Sequence, residues 1–242
     1  MIWKKSLRLA IAGAALFLTV DLAFFSANLT KVMHGGWFPL TIALIVFVVL
    51  TTWQRGREIV THNRTEEEGS LRAFIDELHE REPAVHRAPG TAVFLHPTKE
   101  TTPLAMRANV EHNNSLHSSV VIVSIDTQKV PTVPESDRVV VDDLGYRDDG
   151  ISHVRACVGF QDSVDVPRIL TLAVQRGLER ECEVSTASYF LSRITIVPTD
   201  ALGMARWRKK LFVAVARNAS SPVVYYSLPD ERTVVMGSHV PF

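Results

Sequence analysis

Hydrophobic positions crowd into two runs near the amino terminus. From Leu9 to Phe25 only Thr19 and Asp21 interrupt the apolar residues, and from Trp37 to Trp53 no charge occurs. A helix over Ser6 to Asn28 has the roughly 20 residues that a bilayer requires. The second run is shorter, but Trp stands at both of its ends, where interfacial aromatics stand in membrane helices. A cleaved signal would account for the first run alone; no small-residue cleavage site follows it, and the second run comes at once. Lys31, His34, Gly35 and Gly36 lie between the runs. So short a link predicts an antiparallel hairpin of two transmembrane helices, residues 1–57.

The charges around this hairpin are uneven. Lys4, Lys5 and Arg8 precede the first run, Arg55, Arg57 and Arg64 follow the second, and the turn carries only Lys31. The positive-inside rule then puts both ends in the cytoplasm and the Gly-Gly turn outside.

Beyond the hairpin the pattern changes to that of a soluble chain. Thr61 to Ser70 is polar and reads as a linker. Leu71, Phe74, Ile75 and Leu78 follow at the spacing of one helix face, with Ser70 as N-cap. Residues 58–88 are therefore a linker and an amphipathic helix. Thr91 to Leu95 reads as a strand, Pro103 opens a helix to about Glu111, and Val120 to Ile125 is apolar on both faces, as a central strand is. Arg138 to Val141 and Ile151 to Phe160 read as two more strands. In the second, Val154, Ala156 and Val158 share one face. A helix over Val166 to Leu178, a strand over Ser188 to Val197 and an amphipathic helix over Met204 to Ala219 come next. Val223 to Leu228 and Thr233 to Val240 read as a closing strand pair. Residues 89–242 are thus predicted to form a cytoplasmic α+β domain with a mixed sheet.

Composition narrows the partners. A chain of 242 residues holds one or two domains. Its net charge of +0 argues against a nucleic-acid partner, which needs a basic surface. Cys157 and Cys182 make neither a disulfide framework nor a zinc set and suit a reducing compartment.

Candidate chemistry is sparse. Asp21 is an acid where hydrocarbon should be, so it faces a bundle interior, a water path or a cation. It is either an acid on a cation route or one bonded to a neighbouring helix or wet at the interface. His112 and His117 are too far apart for a helical metal pair. His153 and Cys157 share a strand face, four apart, with no further ligand. Asp142-Asp143 and Asp148-Asp149 lack the spacing of a calcium loop. No nucleophile with its base, no phosphate loop, and no metal or cofactor set can be assembled, so no catalytic residue is assigned and an enzyme is not expected. Arg206, Arg208, Lys209 and Lys210 give one helix a basic side that suits either solvent or anionic lipid headgroups.

The run Asp21-Leu22-Ala23-Phe24-Phe25-Ser26-Ala27-Asn28, then Lys31, then Gly35-Gly36-Trp37-Phe38-Pro39-Leu40 resembles the last two membrane helices of the Kup (HAK/KUP/KT) potassium uptake transporters. Pro89-Gly90-Thr91-Ala92-Val93-Phe94, His112-Asn113-Asn114-Ser115-Leu116-His117, Gly159-Phe160, Tyr189-Phe190-Leu191-Ser192-Arg193, Leu228-Pro229 and Val234-Val235-Met236-Gly237 are similar to later signatures of that family. Around Cys157-Val158 the family usually has Tyr before the Gly-Phe pair. The resemblance implies part of a K⁺ uptake system, commonly coupled to H⁺, in a multi-pass inner-membrane protein of twelve helices with a cytoplasmic C-terminal domain. It places Asp21 where the family carries an acid on the cation path. About ten membrane helices of that pattern are not in this chain, which therefore resembles a C-terminal fragment. The implied partners are the lipid bilayer, the missing helices or a second chain that supplies them, and in some assemblies a homodimer. The other class of function to weigh is a membrane-tethered regulatory or ligand-binding module without transport of its own.

Overall fold

The computed structural model describes residues 7–178, 182–197, 203–216 and 222–242. Lys4 and Lys5, the predicted helix start at Ser6 and the predicted helix end at Ala219 lie outside the described residues. The chain divides after Gln54 into two compact units.

The first unit holds helix α1 (Leu7–Lys31) and the apolar part of helix α2 (Trp37–Glu68). Both are long and apolar enough to cross a membrane. Their large side chains, among them Leu16, Phe17, Phe25, Leu44 and Phe47, are exposed. The hydroxyls turn back on the helix: Thr19 to the Ala15 carbonyl at 2.8 Å, Ser26 to Leu22 at 2.7 Å and Thr41 to Trp37 at 2.9 Å. These hydroxyls are thus met inside each helix, as hydrocarbon demands. The helical path breaks between them. His34 leaves helical geometry and Gly35 takes φ 115°, a conformation that only glycine adopts without strain.

In the second unit the predicted linker is helical. α2 runs on to Glu68, held by the (i, i+4) pairs His62–Glu66 at 3.3 Å and Arg64–Glu68. Polarity alone suggested a loop over Thr61 to Ser70; burial of Glu68 and these pairs override it. Gly69, at φ 62°, closes the helix by donating its N–H to the Thr65 carbonyl at 3.2 Å. Helix α3 (Leu71–Glu80) starts directly afterwards, with the Ser70 hydroxyl accepting from the Ala73 N–H. Leu71, Phe74 and Ile75 are buried, as their spacing predicts.

A six-stranded sheet follows, in the order β3-β4-β2-β1-β5-β6. The strands are β1 (His86–Leu95), β2 (Ser115–Gln128), β3 (Val139–Asp142), β4 (Ile151–Gly159), β5 (Ser188–Val197) and β6 (Thr233–Pro241). All neighbours are parallel except β3 with β4, so the sheet is mixed, as expected. Helix α4 (Leu104–Asn113) joins the parallel neighbours β1 and β2. Helix α5 (Val166–Gln175) follows β4, its N-cap Asp165 accepting from the Arg168 N–H. Helices fall on both faces in the α/β manner. Ala92, Phe94, Val120, Ile122 and Ile151 form one core with α3 and α4. Val93, Val121, Val123, Val154, Ala156 and Tyr189 form the other with α5. Burial on both faces explains the unbroken apolar run of β2.

Two local features depart from the sequence pattern or explain it. Val223 to Leu228 is not a strand: Pro222–Tyr225 is one helical turn, Ser227 takes φ 52°, and Leu228 donates to the Val223 carbonyl at 3.1 Å. β6 pairs instead with β5, in parallel. Val223 and Tyr226 pack on the core that holds α5, so tertiary burial overrides the strand propensity of Val-Val-Tyr-Tyr. At Gly159 a Cβ would run into the Pro131 carbonyl, which explains the glycine of Gly159-Phe160. The Asp162 carboxylate secures this approach, accepting from the N–H groups of Val133 at 2.9 Å and Gly159 at 2.8 Å.

Ile122 is fully buried in the central strand. Its substitution by Ala is expected to cost about 2–5 kcal/mol, whereas Val235→Ala on the exposed side of β6 should cost less than about 0.5 kcal/mol. Chemical denaturation of the detergent-solubilised chain, followed by circular dichroism, checks the contrast.

Candidate functional site

Asp21 lies about three fifths of the way along α1 and is exposed. No hydrogen bond or ion pair reaches it among the described residues. Phe17 and Phe25, one turn to either side, are also exposed. Helical geometry puts Phe17, Asp21, Phe25 and Asn28 on one face. Within this chain the acid is therefore presented outward rather than bonded to a neighbouring helix.

The remaining sequence candidates separate. His112 is exposed near the end of α4. His117 lies beyond the left-handed Asn114 on β2, its ring 5.8 Å from that of Phe190. His153 is buried on β4, with Nε2 3.0 Å from the Ser124 hydroxyl, and Cys157 is partly buried further along the strand. Four residues of strand separate that pair by about 13 Å. The aspartates of the Asp142 to Asp149 loop cap its own backbone: Asp142 accepts from Leu144, Asp143 from Gly145 and Asp149 from Ile151. Among the described residues no group of three or more His, Cys, Asp or Glu could hold a metal.

The structure brings together a different set at the end of α2. The Glu68 side chain is 3% exposed, and Arg64, one turn earlier, donates to its Oε1. Its Oε2 lies 3.6 Å from Nε2 of His96, a side chain with no exposure at all. His96 follows β1 directly. Its N–H donates to the Val123 carbonyl of β2 at 2.9 Å, and its Nε2 lies 2.8 Å from the Thr101 hydroxyl. Arg107 of α4 donates to the Glu68 carbonyl at 2.9 Å, and Thr102 donates its N–H to the Gly69 carbonyl at 3.1 Å. The end of α2 is thereby tied to β1, to the loop after it and to α4. A buried carboxylate needs such partners, because an unpaired one is strongly destabilising.

Burial pushes the His96 imidazole down to about 3, and the charges of Arg64 and His153 push the same way. His96 is therefore neutral at physiological pH. Burial likewise holds His153 below the ordinary histidine value, with Asp142 acting against it. Lys99 pairs with Asp142 at 3.1 Å and closes the outer side of this region.

Sequence reasoning missed Glu68 and His96. Glu66-Glu67-Glu68 reads as a solvated acidic run, and only the helix phase shows which of the three turns inward. His96 has no motif around it. Its one signal is its place directly after an apolar strand, ahead of Pro97, where a sheet presents residues to a crevice.

Two helices long and apolar enough to cross a membrane, followed by an α/β domain with a mixed sheet, set the architecture. Comparison with known proteins specifies the kind of protein. The family model for the "K+ potassium transporter integral membrane domain" matches residues 1–58, and that for the "K+ potassium transporter C-terminal domain" matches residues 89–242. The chain belongs to this potassium transporter family, called Kup. Over 98% of its length it is 50% identical to the "Probable potassium transport system protein Kup" of Rhodococcus jostii (strain RHA1), of which it covers 36%. It is 39% identical, over 98% of its length, to the protein of the same description from Herminiimonas arsenicoxydans, covering 37% of it. With that of Myxococcus xanthus (strain DK1622) it shares 38% over 99% of its length, covering 36%. The chain thus spans little more than a third of these relatives. No solved structure matches it.

The junction generates two expectations. Glu68→Ala leaves Arg64 facing a buried gap and should cost about 3–5 kcal/mol, against near zero for Glu67→Ala at an exposed position; denaturation midpoints read the difference. The His96 value is depressed on folding, so its contribution is complete above the unfolded value of 6.5 and drains away as pH falls toward about 3. His96→Gln should flatten the acid limb of the stability–pH curve over that window and leave the part above pH 7 parallel to the parent.

Proposed function

We propose that this chain is part of a K⁺ uptake transporter of the cell membrane, with H⁺ as the coupling ion. The observation that carries this is the match of residues 1–58 to the integral membrane domain of a potassium transporter family, on helices whose apolar side chains are uncovered within the chain. Lipid and the further transporter helices are the proposed cover. The basic residues Lys4, Lys5, Arg8, Arg55, Arg57 and Arg64, set against Lys31 in the turn, support a cytoplasmic α/β domain in a multi-pass protein. No reaction is assigned to the chain.

Asp21 is the proposed ion-path residue. A carboxylate on a membrane helix is costly unless it meets a cation, water or a partner, and no partner reaches it among the described residues. Its charge would offset part of the hydration that K⁺ loses, or carry the coupled proton. Asn in its place keeps the shape and removes the charge.

Two helices do not enclose an ion path, so the chain expressed alone in a K⁺-uptake-deficient bacterium should give no growth at low K⁺. Joined to the part of the Rhodococcus jostii relative that its match leaves uncovered, it should restore growth. In that chimera Asp21→Asn should cut K⁺ uptake by roughly tenfold or more at equal membrane abundance. Near-parental uptake would refute the transport role of Asp21.

A further inference from the structure

Helix α6 (Arg206–Ala216) opens with four cations in five residues and contains no acid. Its inner face is fixed. Phe212 is buried against α2 at Gly56, where a Cβ would run into its ring. Lys209 also turns inward, its Nζ donating to the Phe242 carbonyl at 2.9 Å, and the Phe212 and Phe242 rings lie 4.8 Å apart. Just before the helix, a Cβ at Gly203 would stand 3.4 Å from Cδ1 of Ile59. α6 is therefore seated on the turn of α2 from Gly56 to Ile59.

That turn has a defined depth once α2 spans the bilayer, the reading on which this inference rests. Trp53 ends the apolar run and marks the interface. Gly56 lies three residues further on, about 4.5 Å along the axis. The headgroup layer is roughly 5–8 Å thick on each side, and a helix with its side chains is about 10 Å across. A helix packed on Gly56 is thus within reach of headgroups, and the face turned away from α2 is the one that can meet them. On α6 that face carries Arg206, Lys210 and Trp207, which is 58% exposed. Lys210 stands about 200° round the helix from Phe212. Arg57, exposed, and Arg55, exposed and paired with Glu58 at 3.1 Å, flank Gly56 on α2 itself.

We propose that α6 is an interfacial anchor whose Arg206–Trp207–Lys210 face binds anionic phospholipid headgroups beside the point where α2 leaves the membrane. Charge complementarity selects anionic over neutral lipid, and an exposed Trp among cations suits the interface better than bulk water. The anchor joins cations about 150 residues apart in sequence into one patch, which the flanking charges of the membrane helices alone would not predict.

The test uses the full chain reconstituted in vesicles, with Trp3, Trp37 and Trp53 replaced by Phe so that Trp207 alone fluoresces. A phosphatidylcholine carrying a nitroxide on its headgroup is the quencher. Vesicles of phosphatidylcholine alone are compared with about seven parts phosphatidylcholine to three of phosphatidylglycerol. Trp207 should be quenched about twofold more in the anionic vesicles. Salt at about 0.5 M should remove the difference, as should Arg206→Gln combined with Lys210→Gln. A second chain that keeps only Trp53 serves as reference. Trp53 quenched in both compositions, with Trp207 quenched equally in the two, overturns the anchor alone. Trp53 unquenched overturns the spanning reading and the anchor with it.

Discussion

Glu68 is a carboxylate taken out of water, and the second unit is arranged around that cost. Arg64 supplies a counter-charge from one helical turn away, and His96 faces the other oxygen as a neutral imidazole. Neither partner would suffice without the backbone around it. Arg107 takes the Glu68 carbonyl, Thr102 takes that of Gly69, and Leu71 donates to Glu100 at 3.0 Å. The first two satisfy carbonyls at and just past the end of α2, and the third meets an N–H at the start of α3; together they tie this corner to α4 and to the loop after β1. Loss of the carboxylate leaves a guanidinium without its counter-charge, which is why one buried acid has more influence here than the several exposed ion pairs.

The sheet extends the same logic to apolar groups. β1 and β2 are covered on both faces, so their residues alternate between two cores. Glycine marks the places where backbone or ring comes too near for a side chain: Gly159 against Pro131 and Gly56 against Phe212. The second of these lets α6 pack closely on α2, with Lys209 turned inward and Arg206 and Lys210 exposed. A glycine with no chemistry of its own thus decides which face of α6 turns inward.

The membrane helices pose the opposite case. Their backbone and hydroxyl groups are met internally, while their apolar side chains remain uncovered. Asp21 is presented among those side chains. The likeness to potassium transporters and the uncovered helices both support the proposed membrane setting, in which an acid is costly unless it meets a cation, a partner or water.

Much of this was legible in the sequence. Two apolar runs, the Gly35-Gly36 break, the inward face of α3, the Pro-led start of α4 and the doubly buried β2 all follow from local periodicity and turn chemistry, which act between residues a few positions apart. The family likeness was legible too, because short motifs such as Gly159-Phe160 record close approaches that only glycine permits. What the tertiary structure alone decided depends on contacts between distant segments. Thr61 to Glu68 is helical because Glu68 has a buried partner in His96, 28 positions later. Val223 to Leu228 turns away from strand geometry because Val223 and Tyr226 are needed in the core beside α5. The His96 cluster and the seat of α6 on Gly56 have no local signature, since burial and charge compensation depend on which surfaces the fold brings together, and no spacing along the chain encodes that.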